Sequence, residues 1–305
     1  EEVPTRVIPG ISWDGQLIFM PFAFSADTYL WNKGLAADVG WDSDEPPKTW
    51  DDIRKLGPLA AAQNMYAWSH DNWAWSRWVA LTWQAGGTVF DAEVTKPLLT
   101  EASGVDTLSF IVEMFNEGWV PPEGNVGSAE ESGGVELNYF FTEEQVVSPP
   151  DDVDIINAVK DELPDMDWGA VPPMTYVDNG VLASIDTWGM FNNSEAKDAG
   201  ARWMSFVTQP EKEGFISSQT GISPLTEAAQ EFWVVDEDLK ALAAVYVGVA
   251  RSNQDTGWYW QEGKTVLAPQ IQAAVLGQKS IDEALADAQD ELQTLIDRDM
   301  PKRQG

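Results

Sequence analysis

Gly15-Gln16-Leu17-Ile18-Phe19-Met20-Pro21, then Thr28-Tyr29-Leu30-Trp31, then Pro46-Pro47-Lys48-Thr49-Trp50-Asp51-Asp52-Ile53 is the stretch that decides the fold. The first run reads as a short buried strand after a Trp13-Asp14-Gly15 turn, and the second as another extended segment. The proline pair then stops the chain before Thr49, which is placed to cap a helix. Asp51 and Asp52 fall in the first turn of that helix, where the positive N-terminus favours carboxylates. Trp50, Ile53 and Leu56 give it one apolar face.

The same alternation continues outward from this block. Trp73 to Gln84 reads as a helix stopped by Gly86-Gly87, and Ser103 to Glu117 as a helix with Leu108, Ile111, Val112 and Phe115 on one face. Gly124 to Gly134 has loop composition, and Pro149 to Asp154 is an acidic break. Val181 to Ile185 reads as a strand. Ser194 caps a helix expected to turn Ala196, Ala199, Trp203 and Phe206 inward, and Pro210 opens the next one. Asp236 reads as an N-cap. Ser280-Ile281-Asp282-Glu283 is a capping box that opens a helix carrying Leu285, Ala288, Leu292 and Leu295 along one side. Short strands alternating with helices argue for an α/β fold.

The chain has 305 residues, enough for two lobes with separate cores. Its 50 acidic and 18 basic residues give a formal charge of −32, a field that repels phosphate backbones and anionic lipids and excludes nucleic-acid binding. No apolar run is long enough to span a bilayer; Ala241 to Ala250 suits a buried helix. The first residues, Glu1-Glu2-Val3-Pro4, show no targeting signal. With no cysteine and a single histidine, His70, thiolate and multi-histidine metal sites are absent. No cofactor is expected.

Four segments in order resemble family 1 extracellular solute-binding proteins, the maltose-binding-protein group. They are the opening block through Ile53; Gln84-Ala85-Gly86-Gly87; Ala196 to Glu211 followed by Gly221-Ile222-Ser223-Pro224; and Val275 to Leu285. The resemblance implies a two-lobed periplasmic-binding-protein fold, type II-like, with hinge crossovers and an incomplete first lobe. It implies crossovers at Phe22-Ala23-Phe24, at Trp168 to Pro173 and at Gly221 to Pro224. The first lobe would then keep residues 1–22 and 173–223, and the second would take 24–171 and 225–305. The family begins with a secretion signal and further strand–helix units, so the chain is expected to lack roughly the first quarter of the mature protein. The implied function is extracytoplasmic binding of a carbohydrate between the lobes and its delivery to the permease subunits of an ABC importer. The receptor would act as a monomer without catalysis.

Sugar chemistry points to residues independently. A pyranose has an apolar C–H face and a hydroxyl rim, which suit indole platforms edged by N–H groups together with carboxylates and amides. The chain holds 16 Trp, far above average usage. The segment Trp68 to Trp78 is the first candidate for ligand contact, with His70, Asp71, Asn72, Trp73 and Trp75 as its contact residues; His70 serves either as a loop residue or as a contact, and Trp73 and Trp75 either as platforms or as core. Trp78 and Trp83, at helical spacing, read as core. Arg77 is placed to pair with a carboxylate. Trp258, Tyr259 and Trp260 supply a second aromatic set, one ring facing ligand and the others packing. Asp186 and Trp188 follow a strand and either project toward ligand or cover the core. The resemblance places Ser25 facing ligand just after the first crossover.

Two other classes compete. A secreted carbohydrate-active enzyme shares aromatic clefts and carboxylate pairs. A calcium-dependent adhesion module could use Asp151, Asp152 and Asp154 or Asp236, Glu237 and Asp238, but neither run has the spacing of a calcium loop. Within the family, a cationic solute boxed by tryptophans is a further alternative.

Overall fold

A computed structural model describes residues 11–13, 16–71, 75–125, 139–150, 155–220, 222–235, 237–252 and 259–303. In chain order these form β1 (Ser12–Trp13), β2 (Gln16–Leu17), β3 (Met20–Ala26), β4 (Tyr29–Asn32), α1 (Lys33–Asp38), α2 (Trp50–Ala61), α3 (Trp75–Gln84) and α4 (Ala102–Asn116). After a 3-10 turn at Pro122–Asn125 come α5 (Ile155–Glu162), β5 (Trp168–Val171), β6 (Val181–Trp188), α6 (Lys197–Val207) and α7 (Pro210–Thr220). The remainder is β7 (Ser223–Pro224), α8 (Glu227–Gln230), α9 (Glu237–Val249), β8 (Ala250–Ser252), α10 (Trp260–Val275) and α11 (Ile281–Arg303). The Asp14-Gly15 turn, most of the 124–134 loop, residues 151–154, Gly221 and Asp236 lie outside the described residues, as do Asn72, Trp73 and Trp258.

Local signals in the sequence set the helix ends. The Asp52 N–H donates to Thr49 Oγ1 at 3.0 Å, and the Asp52 carboxylate accepts the Thr49 N–H at 3.2 Å, a reciprocal capping box. Burial works against the charge on Asp52, but hydrogen bonds from Lys48, Thr49 and Lys55 prevail and hold its carboxyl below the ordinary value. Ser280 and Glu283 make the same reciprocal pair at the start of α11. Beyond α4, Gly118 takes φ +69°, and the Trp119 N–H returns to the Met114 carbonyl at 2.9 Å. That closure needs the left-handed backbone glycine adopts without penalty.

The chain divides into two units: unit 1 is Glu1–Thr28, Asp151–Ala158 and Val181–Gln254, and unit 2 is Tyr29–Pro150, Val159–Gly180 and Asp255–Gly305. In unit 1 a four-stranded sheet runs in the order β7-β3-β6-β8, with β3 antiparallel to β6 and β7, and β6 parallel to β8. Helix α9 packs on β3 and β6, burying Leu239, Leu242 and Tyr246. In unit 2, β4 pairs antiparallel with β5, and α4 packs on α3, α10 and α11. The Trp50 ring is sandwiched there between Phe110 at 4.3 Å and Tyr176 at 4.5 Å, and its N–H donates to Gln84 Oε1 at 2.7 Å. Each such ring pair adds about 0.5–1.5 kcal/mol beyond the area it buries.

Two expectations are corrected. The run Gly15 to Pro21 is not one buried strand: β2 ends at Leu17 and β3 begins at Met20, with Ile18 and Phe19 exposed between them. The two units divide at 28/29, 150/151, 158/159, 180/181 and 254/255. The reason is long-range pairing. β3 is held by β6 from Met20↔Trp188 to Ala26↔Ala183, which keeps residues 22–26 in unit 1. Pairing of Trp168–Val171 with β4 retains them in unit 2, while β8 alongside β6 holds 250–252 in unit 1. Finally, α6 forms where expected, but Trp203 and Phe206 face outward and only Val207 of that helix is buried.

Candidate ligand-binding site

The backbone of residues 66–68 in unit 2 is clamped from two sides. Tyr66 exchanges hydrogen bonds with Glu144 and Val146, both 2.9 Å, and the Val147 N–H donates to the Ala67 carbonyl at 3.1 Å. On the other side the N–H groups of Ala67 and Trp68 both donate to the Trp119 carbonyl, at 2.9 and 3.2 Å. Such bonding leaves little freedom in the segment that continues into Ser69, His70 and Asp71.

Those three side chains are buried, which is unusual for polar residues with so short a reach. The His70 ring stands edge-on to Phe115, centroids 6.1 Å apart, and the His70 carbonyl passes so close to Gly124 that a Cβ there would lie 1.8 Å away. Trp68 packs its ring against Tyr29 at 5.6 Å and Phe110 at 6.2 Å. Trp75 opens α3 and is 2% exposed, its ring lying over Gly263 of α10. Trp78 and Trp83 are buried, as their helical spacing predicts. Arg77 donates from Nη2 to the carbonyl of Pro150, at 3.4 Å.

The second aromatic set also enters unit 2. Tyr259 is buried beside Phe90, centroids 5.8 Å apart, immediately before Trp260 begins α10.

The common feature of these residues is unmatched polarity. Trp68 Nε1, Ser69 Oγ, Trp75 Nε1, Trp78 Nε1 and the Tyr259 hydroxyl are buried without a hydrogen-bond partner among the described residues. A buried polar group left unpaired costs on the order of 1–3 kcal/mol, so each of them calls for a partner. Indole N–H groups only donate; hydroxyls donate and accept. Together they suit a guest rich in oxygen acceptors.

Nearby, the turn at Pro122–Asn125 sets Glu123 beside two tyrosines. Burial and a hydrogen bond to Glu123 push Tyr139 up to about 12, while burial, then Glu123 and Glu144, raise Tyr66. Both phenols therefore stay protonated at neutral pH and remain donors.

The remaining expected residues lie in unit 1. Asp186 and Trp188 share one face of β6, and both are partly buried. Trp188 stacks on Phe22 at 4.8 Å and receives the Trp203 ring edge-on at 4.5 Å, so it belongs to an aromatic trio of unit 1. Ser25 sits on β3 opposite Ser184. The structure thus gathers His70, Asp71, Trp75, Tyr259 and Trp260 in unit 2, and places Ser25, Asp186 and Trp188 in unit 1. The sequence marks Trp68 and Ser69 as part of the candidate segment, but not that their polar edges and that of Trp78 are buried, because burial without a partner leaves no trace in local spacing. Among the described residues no group of three or more His, Cys, Asp or Glu could hold a metal ion, and no helix is long and apolar enough to cross a membrane.

Comparison with known proteins adds a family. A family model for bacterial extracellular solute-binding proteins matches residues 2–245. The chain is 24% identical over 205 residues to a probable amino-acid ABC transporter periplasmic-binding protein of Sinorhizobium fredii, covering 65% of this chain and 45% of that one. It is 23% identical over 232 residues to the sn-glycerol-3-phosphate-binding periplasmic protein of Escherichia coli, covering 71% of this chain and 51% of the relative. The chain spans about half the length of the curated relatives it matches. Among solved structures, the cyclic alpha-maltosyl-1,6-maltose binding protein from Arthrobacter globiformis superposes with a TM-score of 0.78 at 20% identity, covering 96% of this chain and 76% of that one. An ABC substrate-binding protein from Listeria monocytogenes in complex with cycloalternan gives 0.80 at 15% identity, covering 96% and 75%. These likenesses establish the two-lobed periplasmic-binding-protein fold.

Proposed function

The chain belongs to the family of bacterial extracellular solute-binding proteins, and from that premise we propose that it binds a neutral oligosaccharide outside the cytoplasm. It hands that sugar unchanged to the permease subunits of an ABC importer. The observation that carries this reading is the set of buried, unpartnered N–H and O–H groups on Trp68, Ser69, Trp75, Trp78 and Tyr259. Donors beside apolar rings match a pyranose, which offers hydroxyl and ring oxygens around a C–H face. His70 and Asp71 lie in the same segment and supply further polar contacts; Trp73 falls between Asp71 and Trp75 in sequence, and Trp258 and Trp260 flank Tyr259. Asp186, Trp188 and Ser25 are the contacts proposed from unit 1.

Charge separates this reading from those suggested by the sequence relatives. A formal charge of −32 works against an anionic solute such as a phosphate ester. Fold neighbours described as binding cyclic glucosides support a sugar, although at 15–20% identity their ligands do not transfer by likeness alone. A second reading, a cationic solute held over indole faces, draws on the same acidity together with buried Asp71.

Thermal shift with a panel of ligands tests the proposal, because binding to the native state raises the melting temperature. Linear and cyclic gluco-oligosaccharides should raise it in a saturable way, while sn-glycerol 3-phosphate should not. A shift produced only by glycine betaine would favour the cationic reading, and one produced only by the phosphate ester would overturn both.

A further inference from the structure

The connection between β6 and α6 carries a chemical motif that solute binding does not use. Asn192-Asn193-Ser194 has the form Asn-x-Ser with x other than proline, the acceptor pattern for N-linked glycosylation. No other asparagine of the chain is followed two positions later by Ser or Thr. A triplet of this kind arises often by chance; a usable one must also lie open at the surface of an exported protein.

The fold meets that requirement. Residues 191–194 form a turn closed by the Ser194 N–H, which donates to the Phe191 carbonyl at 3.0 Å. Asn192 and Asn193 at its tip are both exposed, and no residue of the turn is buried. Lys197 Nζ donates to Asn192 Oδ1 at 3.4 Å, a long contact that spares Nδ2, the atom a sugar would join. Ser194 Oγ accepts the Ala196 N–H at 3.2 Å, which leaves its own proton free to donate. Opening the turn gives up surface hydrogen bonds and no buried side chain, so it falls at the low end of local unfolding free energies. The neighbouring ring adds a second observation. Phe191 is 85% exposed, the most exposed large apolar side chain among the described residues. A pyranose packs its C–H face on an aromatic ring, so a sugar attached one residue away has a surface ready to cover.

We propose that Asn192 is a glycosylation site, modified outside the cytoplasm by a transferase that uses a lipid-phosphate-linked oligosaccharide as donor. Asn192 Nδ2 attacks the anomeric carbon of the donor. The C1–N bond forms as the C1–O bond to phosphate breaks, Nδ2 gives one proton to a base of the transferase, and the lipid phosphate leaves with the bonding pair. The attached sugar then lies over Phe191 and shields its ring from water. This inference rests on the extracytoplasmic placement proposed above, because donor and acceptor must share a compartment.

The test is peptide mass spectrometry of the protein isolated from its own cells, with exported and cytoplasmic material separated first. Trypsin releases residues 161–197, a peptide in which Asn192 is the one acceptor. That peptide should carry a mass increment built of sugar units. Asn192→Gln and Ser194→Ala should each abolish the increment, whereas Ser194→Thr, which keeps the hydroxyl, should retain it. All three variants alter an exposed turn and should melt as the parent does. Enzymatic removal of the sugar should raise binding of an apolar dye severalfold, and Phe191→Ser should abolish that rise. Exported protein with an unmodified peptide would overturn the inference and leave the extracytoplasmic reading standing. Unmodified protein confined to the cytoplasm would overturn both, and an increment that survives Asn192→Gln would place the sugar on another residue and defeat the assignment.

Discussion

The indole of Trp75 closes over Gly263 so tightly that a Cβ on that glycine would sit 2.7 Å from ring carbon Cζ2. This contact joins the start of α3 to the start of α10 and aligns the two aromatic segments singled out by the sequence. A side chain at 263 must displace a rigid ring rather than a flexible tip. Gly263→Val is expected to destabilise the protein by about 2 kcal/mol, the usual range for overpacking. Urea unfolding at neutral pH measures it; an unchanged midpoint would show that Trp75 is free to move.

Tyr259 separates folding from binding. Its hydroxyl is buried without a partner among the described residues, so removing it relieves an unpaired polar group. Tyr259→Phe should leave the melting temperature of the unliganded protein unchanged or slightly higher. If that hydroxyl meets the solute, affinity for an oligosaccharide should fall about threefold to tenfold, in keeping with one hydrogen bond of about 1 kcal/mol. Calorimetric titration of both proteins gives the comparison, and equal affinities would remove Tyr259 from the proposed contacts.

The pair Tyr139 and Glu123 predicts a pH effect of defined sign. The folded state holds the Tyr139 proton until about pH 12, whereas the unfolded chain releases it near the ordinary phenol value of 10.0. Between those values the native state binds more protons than the unfolded one, so stability present below pH 10 is lost as pH rises toward 12. Tyr139→Phe should flatten the dependence of the unfolding midpoint on pH in that window. Absorbance of phenolate should also show one late-titrating group disappear in the variant.

Glu213 ties α7 to the chain after β7. Its Oε1 accepts the N–H groups of Leu225 at 2.9 Å and Thr226 at 3.2 Å, and the residue is buried. Glu213→Ala strands the Thr226 donor and weakens the Leu225 contact, with an expected loss of about 2 kcal/mol. Glu213→Gln keeps an acceptor oxygen and should lose less. Equal stabilities of the two variants in urea would contradict this account.

What the sequence made legible follows the range of each interaction. Capping boxes at Thr49 and Ser280 and the closure at Gly118 depend on residues within one turn, and all could be read directly. Burial of Trp78 and Trp83 followed from helical period. Long-range pairing could not be read in the same way, since residues 22–26 are held by a strand that ends at Trp188. The helical pattern of α6 showed which of its faces is apolar, but not that the face lies open. In the candidate site, aromatic density singles out the segments around Trp73 and Tyr259, whereas the buried polar edges of Trp68, Ser69 and Trp78 emerge only once distant chain closes over them.

Isothermal titration of the receptor with linear and cyclic gluco-oligosaccharides, followed by chromatography of the recovered sugar, addresses the central claim most directly. Saturable heat at about one ligand per chain, with every sugar recovered intact, is the predicted result. Cleavage of the sugar, or heat only with sn-glycerol 3-phosphate, would contradict a neutral-carbohydrate receptor.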